Sequence, residues 1–108
     1  MGELAQAYGY MRIEQGSLAD PGDLRQQLIQ FARSQGYELA EIFVEPPDLV
    51  GSAFAALIEA LRGSGIQMVI VPAIRHLAHL ESVQLAMKEL LESEAGACIV
   101  AATGAALP

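Results

Sequence analysis

Apolar residues in this chain fall into two alternating rhythms. Short runs at Ala7–Ile13, Tyr37–Val44, Ile66–Val71 and Ala97–Ala101 have the length and the β-branched or aromatic content of buried strands. Between them, apolar positions recur at steps of three and four. Leu24, Leu28, Phe31 and Ala32 form one such stripe, and Phe54, Leu57, Ile58 and Leu61 a second. Leu80, Val83, Met87, Leu90 and Leu91 form a third. Each stripe predicts an amphipathic helix. Asp20-Pro21 supplies an N-cap and a proline at the first helical position, Ser52 is the expected cap of the second helix, and His79 or Leu80 begins the third. Gly36, Gly63-Ser64-Gly65 and Gly96 stand where the helices end. Two apolar residues miss their stripes and are expected on the surface. Ile29 falls about 140° away on its helix, and Leu85 sits among Glu81, Glu89 and Glu92.

The order is β-α-β-α-β-α-β with short connections, which gives a parallel sheet with right-handed crossovers. The expected fold is a three-layer α/β domain with a four-stranded parallel sheet in the order 2-1-3-4, flanked by helices. The second strand, partly alternating, suits an edge. One domain fills residues 1–108, with 1–6 and 103–108 expected to fray. In this order the topological switch point lies between the first and third strands, and the tips after them, Glu14–Ser17 and Pro72–His76, would line the crevice where open α/β sheets place their sites.

Charge narrows the function. The formal net charge is −7, and the six basic residues (Arg12, Arg25, Arg33, Arg62, Arg75 and Lys88) are scattered. Duplex binding depends on clustered Lys and Arg, so this chain alone is a poor DNA binder. No apolar run reaches the length of a membrane span. The N-terminus carries Glu3 and lacks the basic-then-apolar order of a signal peptide, so a cytoplasmic location follows by default. The single cysteine, Cys98, lies in the run ACIVA and reads as a small buried hydrophobe.

Several residues resemble a known family. Tyr10-Met11-Arg12-Ile13 resembles the Tyr-x-Arg-Val that opens the catalytic domain of serine recombinases, the resolvase and invertase group. The segment QQLIQFARSQGYELAEIFVE looks like that family's first helix and second strand, and MVIVPAIRHLAHL like its third strand and signature segment. The resemblance covers roughly Tyr8 to Ala101. It implies the resolvase-like fold and a chemistry in which a serine attacks a DNA phosphodiester while arginines stabilise the developing charge. Carried over position by position, the family's first arginine falls on Arg12, which is retained. Its nucleophilic serine falls on Glu14, and the signature aspartate and two arginines fall on Arg75, His76 and His79. The loop after the second strand holds no arginine. A carboxylate about 4 Å from a phosphate is repelled by roughly 4 kcal/mol at an effective dielectric near 20, which is about three decades in rate. The resemblance thus implies a degenerate active site at Arg12, Glu14, Arg75, His76 and His79, with no catalytic residue and no enzyme activity. Ser17 lies three residues too far along to replace the serine.

Other constellations are weaker. His76 and His79 would share a helix face near Glu81, but zinc wants at least three protein ligands and no Cys or Asp accompanies them, so no metal or cofactor is expected. Gly63-Ser64-Gly65 precedes a strand and Gly9 lies within one, so neither is a phosphate loop. A receiver domain shares the topology, but Pro72 stands where its phosphoacceptor aspartate would. Arg12, Glu14, Glu45 and Arg75 are expected to converge at the sheet's C-terminal edge, as a compensated ion-pair cluster or as a crevice for a small anion. The function expected first is a non-enzymatic regulatory or accessory module, self-associating through residues such as Ile29 or Leu85 as a homodimer, or binding another protein. The alternatives are a recombination protein that engages DNA only with a partner, and a small-anion binder. No DNA-binding domain is expected in residues 1–108.

Overall fold

The computed structural model describes residues 4–13, 20–46, 51–73 and 81–102. Four strands and three helices alternate: β1 (Ala5–Arg12), α1 (Pro21–Ser34), β2 (Tyr37–Glu45), α2 (Ser52–Ser64), β3 (Met68–Val71), α3 (Glu81–Ala95) and β4 (Cys98–Ala101). The strands form one sheet in the order β2-β1-β3-β4, every neighbouring pair parallel. The expected fold and strand order are those observed.

Strand alternation sorts side chains between two layers. Ala7, Met11 and Ile70 face α1, where they cluster with Leu28 and Ala32. Tyr8, Tyr10, Val69, Val71 and Ile99 face α2 and α3 and meet Phe54, Leu57, Leu61 and Leu91. Two edge-to-face aromatic pairs stitch this second layer, Tyr8 on Phe43 at 5.4 Å and Tyr10 on Phe54 at 5.8 Å. Each fully buried large side chain contributes about 1.5–3 kcal/mol relative to exposure. Close packing of α1 has a sequence cause at Gly9: a Cβ there would lie 3.1 Å from Ile42 Cγ1 and 3.4 Å from the Leu28 side chain.

Boundaries and faces depart from the pattern in instructive ways. β1 begins at Ala5, so Ala5 and Gln6 are ladder residues paired with Tyr37 and Glu38. β3 and β4 are shorter than expected, since each pairs only over four residues. Asp20 is the N-cap of α1 but makes no side-chain capping bond. Ser52 is the first residue of α2 and not its cap; Gly51 takes that place with φ 92°, a left-handed conformation suited to glycine. Residues 74–80, including the expected start of the third helix, lie outside the described residues, and the helix is described from Glu81.

Three burial expectations also change. Ile29, expected on the surface, is half-buried. Val83 and Leu90, expected in the core, are 41% and 45% exposed, and Leu91 is the residue of α3 buried completely. Cys98 is exposed. It is in register with Met68, which packs on the α1 layer. One helix covers that face and two cover the other, so α1 does not shield the outer strand. Leu85, at 56% exposure, is on the surface as expected.

Candidate functional site

The C-terminal ends of β1 and β2 are the best described part of the expected site. Arg12 and Glu45 are register partners, so their side chains leave the sheet on the same face, as does Tyr10 two residues earlier. That face carries α2, whose first turn follows β2 after a short connection. The Glu45 side chain enters this junction and is 1% exposed.

Among the described residues, its carboxylate accepts four hydrogen bonds. Oε1 accepts the Ser52 hydroxyl at 3.1 Å and the Ala53 N–H at 3.0 Å. Oε2 accepts the Tyr10 hydroxyl at 2.9 Å and the Phe54 N–H at 3.2 Å. A helix begins with four N–H groups that have no partner of their own, and its dipole favours negative charge there. Glu45 therefore caps α2 from the neighbouring strand, which is why Ser52 does not serve as the cap. Ser52 donates to the capping carboxylate instead.

Burial works to raise the Glu45 pKa, but the hydrogen bonds from Ala53, Tyr10, Ser52 and Phe54 outweigh it and hold the carboxyl below its ordinary value. The Tyr10 hydroxyl moves the other way. Burial first, then its bond to Glu45 and that residue's charge, push it well above the usual tyrosine range, partly offset by Arg12. Arg12, half-buried at the strand end, thus acts on Tyr10. Among the described residues, no buried side-chain polar atom lacks a hydrogen bond.

Of the residues expected at the site, Arg12 and Glu45 are brought together by the sheet. Glu14, Ser17, Arg75, His76 and His79 lie outside the described residues, as do the two loop tips expected to line the crevice. Among the described residues, the Glu45 carboxylate accepts from a tyrosine, a serine and a helix N-terminus. The sequence reading gave the Tyr10 hydroxyl no partner and missed its polar role. A signal was present, since a tyrosine hydroxyl inside an apolar strand must find a partner. Among the described residues no group of three His, Cys, Asp or Glu is placed to hold a metal. A shallow groove of about 520 Å³ opens at the opposite edge of the sheet, lined by Gln6, Tyr37, Gln67 and Cys98 among others, and carries no charged side chain.

A parallel sheet ordered β2-β1-β3-β4, with α1 on one face and α2 and α3 on the other, is the fold of serine-recombinase catalytic domains. Solved structures that resemble it include three of these domains. A resolvase family site-specific recombinase from Streptococcus pneumoniae superposes with a TM-score of 0.78 at 15% identity, over 91% of this chain and 72% of that one. The N-terminal catalytic domain of TP901-1 integrase gives 0.75 at 14% identity, over 90% and 76%. The C-terminal catalytic domain of ISC1926 TnpA, an IS607-like serine recombinase, gives 0.71 at 20% identity, over 92% and 68%. Such identities establish a likeness of fold. No protein-family model matches the chain, and no curated protein matches it in sequence. Among the described residues, no helix is long and apolar enough to cross a membrane.

Proposed function

We propose that this chain is a serine-recombinase-like domain without the covalent DNA chemistry of that fold, acting as a non-enzymatic, self-associating regulatory or accessory module. The observation that carries the reading is the residue set. In the alignment that the resemblance implies, Glu14 stands in place of the nucleophilic serine and Arg12 is the single retained member of the catalytic set. The net charge of −7 further weakens any hold on phosphate. The engagement of Glu45 supports the same view. A helix N-terminus beside the end of a strand is a ready anion site, and at α2 the domain's own carboxylate occupies it. This also weighs against a small-anion pocket built on Arg12 and Glu45. Self-association draws its support from the exposed Leu85 of α3.

A plasmid assay tests the loss of chemistry. Supercoiled DNA incubated with the protein and quenched with detergent is expected to show neither relaxation nor a covalent protein–DNA band. A covalent band that disappears in Arg12→Ala would refute the proposal.

A further inference from the structure

We infer that α3 and β4 form one conformational unit, which opens as a whole while β1, β2, α1 and α2 stay folded and so uncovers β3.

The elements of the domain are held unevenly. The β1–β2 ladder runs the full length of β1, from Ala5 on Tyr37 to Arg12 on Glu45. Leu28 and Ala32 of α1 are fully buried in a cluster with Ala7 and Met11 of β1, and Leu24 and Phe31 pack against it. Glu45 fastens α2 to the same two strands, since its carboxylate takes the Ala53 and Phe54 N–H groups and the Tyr10 hydroxyl together. Phe54, Leu57 and Leu61 bury the inner face of that helix.

The last two elements have less to hold them. Val83, Leu85 and Leu90 of α3 are exposed, and Leu91 is the side chain that the helix buries completely. Ala97 and Ile99 join Leu91 in the buried cluster on the α2 side of the sheet, with Met87 packed against it. The β4 ladder is short, running from Met68 on Cys98 to Val71 on Ala101. Arg62 of α2 ties down the end of α3, where it meets both the carboxylate and the carbonyl of Glu94. These two side chains are open to water, where an ion pair adds little. A unit with few buried apolar groups separates at a lower free energy than the whole domain unfolds.

Opening changes the surface of the domain. Val69 and Val71 of β3 are fully buried in the closed form, in the cluster that holds Leu91 and Ile99. Release of α3 and β4 takes both of those covering residues away. It also leaves the Gln67 and Val71 carbonyls without the Cys98 and Ala102 N–H groups that bond to them. An apolar strand with a bare edge is a template for pairing, and here the less firmly held unit is what keeps it covered.

Native-state hydrogen exchange at low urea concentrations, followed residue by residue by NMR, tests this. The hydrogen-bonded amides of α3 and β4 are expected to converge on one opening equilibrium, with a urea dependence between zero and that of global unfolding. Their protection is expected to be at least about tenfold lower than that of the β1–β2 ladder. Tyr10→Phe weakens the part that stays folded. Because the Tyr10–Glu45 bond is made in the closed and the open state alike, its loss is expected to speed exchange in the β1–β2 ladder about fivefold and to leave α3 and β4 unchanged. Equal protection across the four strands, or a Tyr10→Phe effect of the same size at every amide, overturns the inference. So does exchange in α3 that shows no urea dependence and no common equilibrium with β4, which is the signature of single turns fraying.

Discussion

Replacing Glu45 by Gln keeps the length of the side chain and removes its charge, in a place where four donors converge. The amide offers one acceptor oxygen and one donor nitrogen. Placed at Oε1, the nitrogen faces the Ser52 hydroxyl, which can turn to accept, and the Ala53 N–H, which cannot. Placed at Oε2, it faces the Tyr10 hydroxyl, which can turn, and the Phe54 N–H, which cannot. Either way one backbone N–H is stranded at a buried site, a cost of about 1–3 kcal/mol. Loss of the charge at the helix N-terminus adds about 0.5–2 kcal/mol. The expected destabilisation at pH 7 is therefore about 2–4 kcal/mol, a large share of the roughly 5–15 kcal/mol typical of a domain. Urea unfolding followed by circular dichroism measures it. Because the Glu45 pKa is lowered in the fold, its contribution is fully present above the unfolded carboxylate value and is lost as pH falls through the folded one. Glutamine does not titrate, so the gap between the two proteins is widest at neutral pH and closes in acid. A gap under about 0.5 kcal/mol at pH 7, the size of an ordinary surface substitution, or one that does not change with pH, would refute the capping role.

Three further outcomes are expected. Tyr10→Phe removes one of the two donors to Oε2 and leaves Phe54 N–H in place, so it costs about 1 kcal/mol in the same unfolding assay; a loss as large as that of Glu45→Gln would mean that Tyr10 organises the junction alone. Gly9→Val pushes methyl groups into the 3.1 Å approach of Ile42 and is expected to cost about 1–3 kcal/mol by overpacking, whereas a neutral result would show that α1 moves freely. Cys98 in the folded protein should react with a water-soluble thiol reagent at a rate near that of the unfolded chain, and protection until unfolding would place it in the core after all.

Much of this fold is legible along the chain because its signals are local. The stripes Leu24-Leu28-Ala32 and Phe54-Leu57-Leu61 dictate helices whatever they pack against, and runs such as Tyr37–Val44 and Ile66–Val71 dictate strands. Alternation of the two then forces parallel pairing, and the need to cover two faces with three helices leaves the order β2-β1-β3-β4. The exposure of Leu85 follows from spacing alone.

What only the tertiary structure decided depends on which surfaces meet. Cys98 and Leu90 are apolar by sequence, yet one faces a part of the sheet that α1 does not reach and the other lies on the exposed flank of α3 toward α2. The role of Glu45 was hidden for the same reason. Its ligands come from positions 10, 52, 53 and 54, which no sequence spacing brings together. Parallel pairing of β1 with β2 and the seating of α2 on them place one carboxylate among two hydroxyls and a helix N-terminus. The burial that this requires is stable only because every lone pair direction meets a donor.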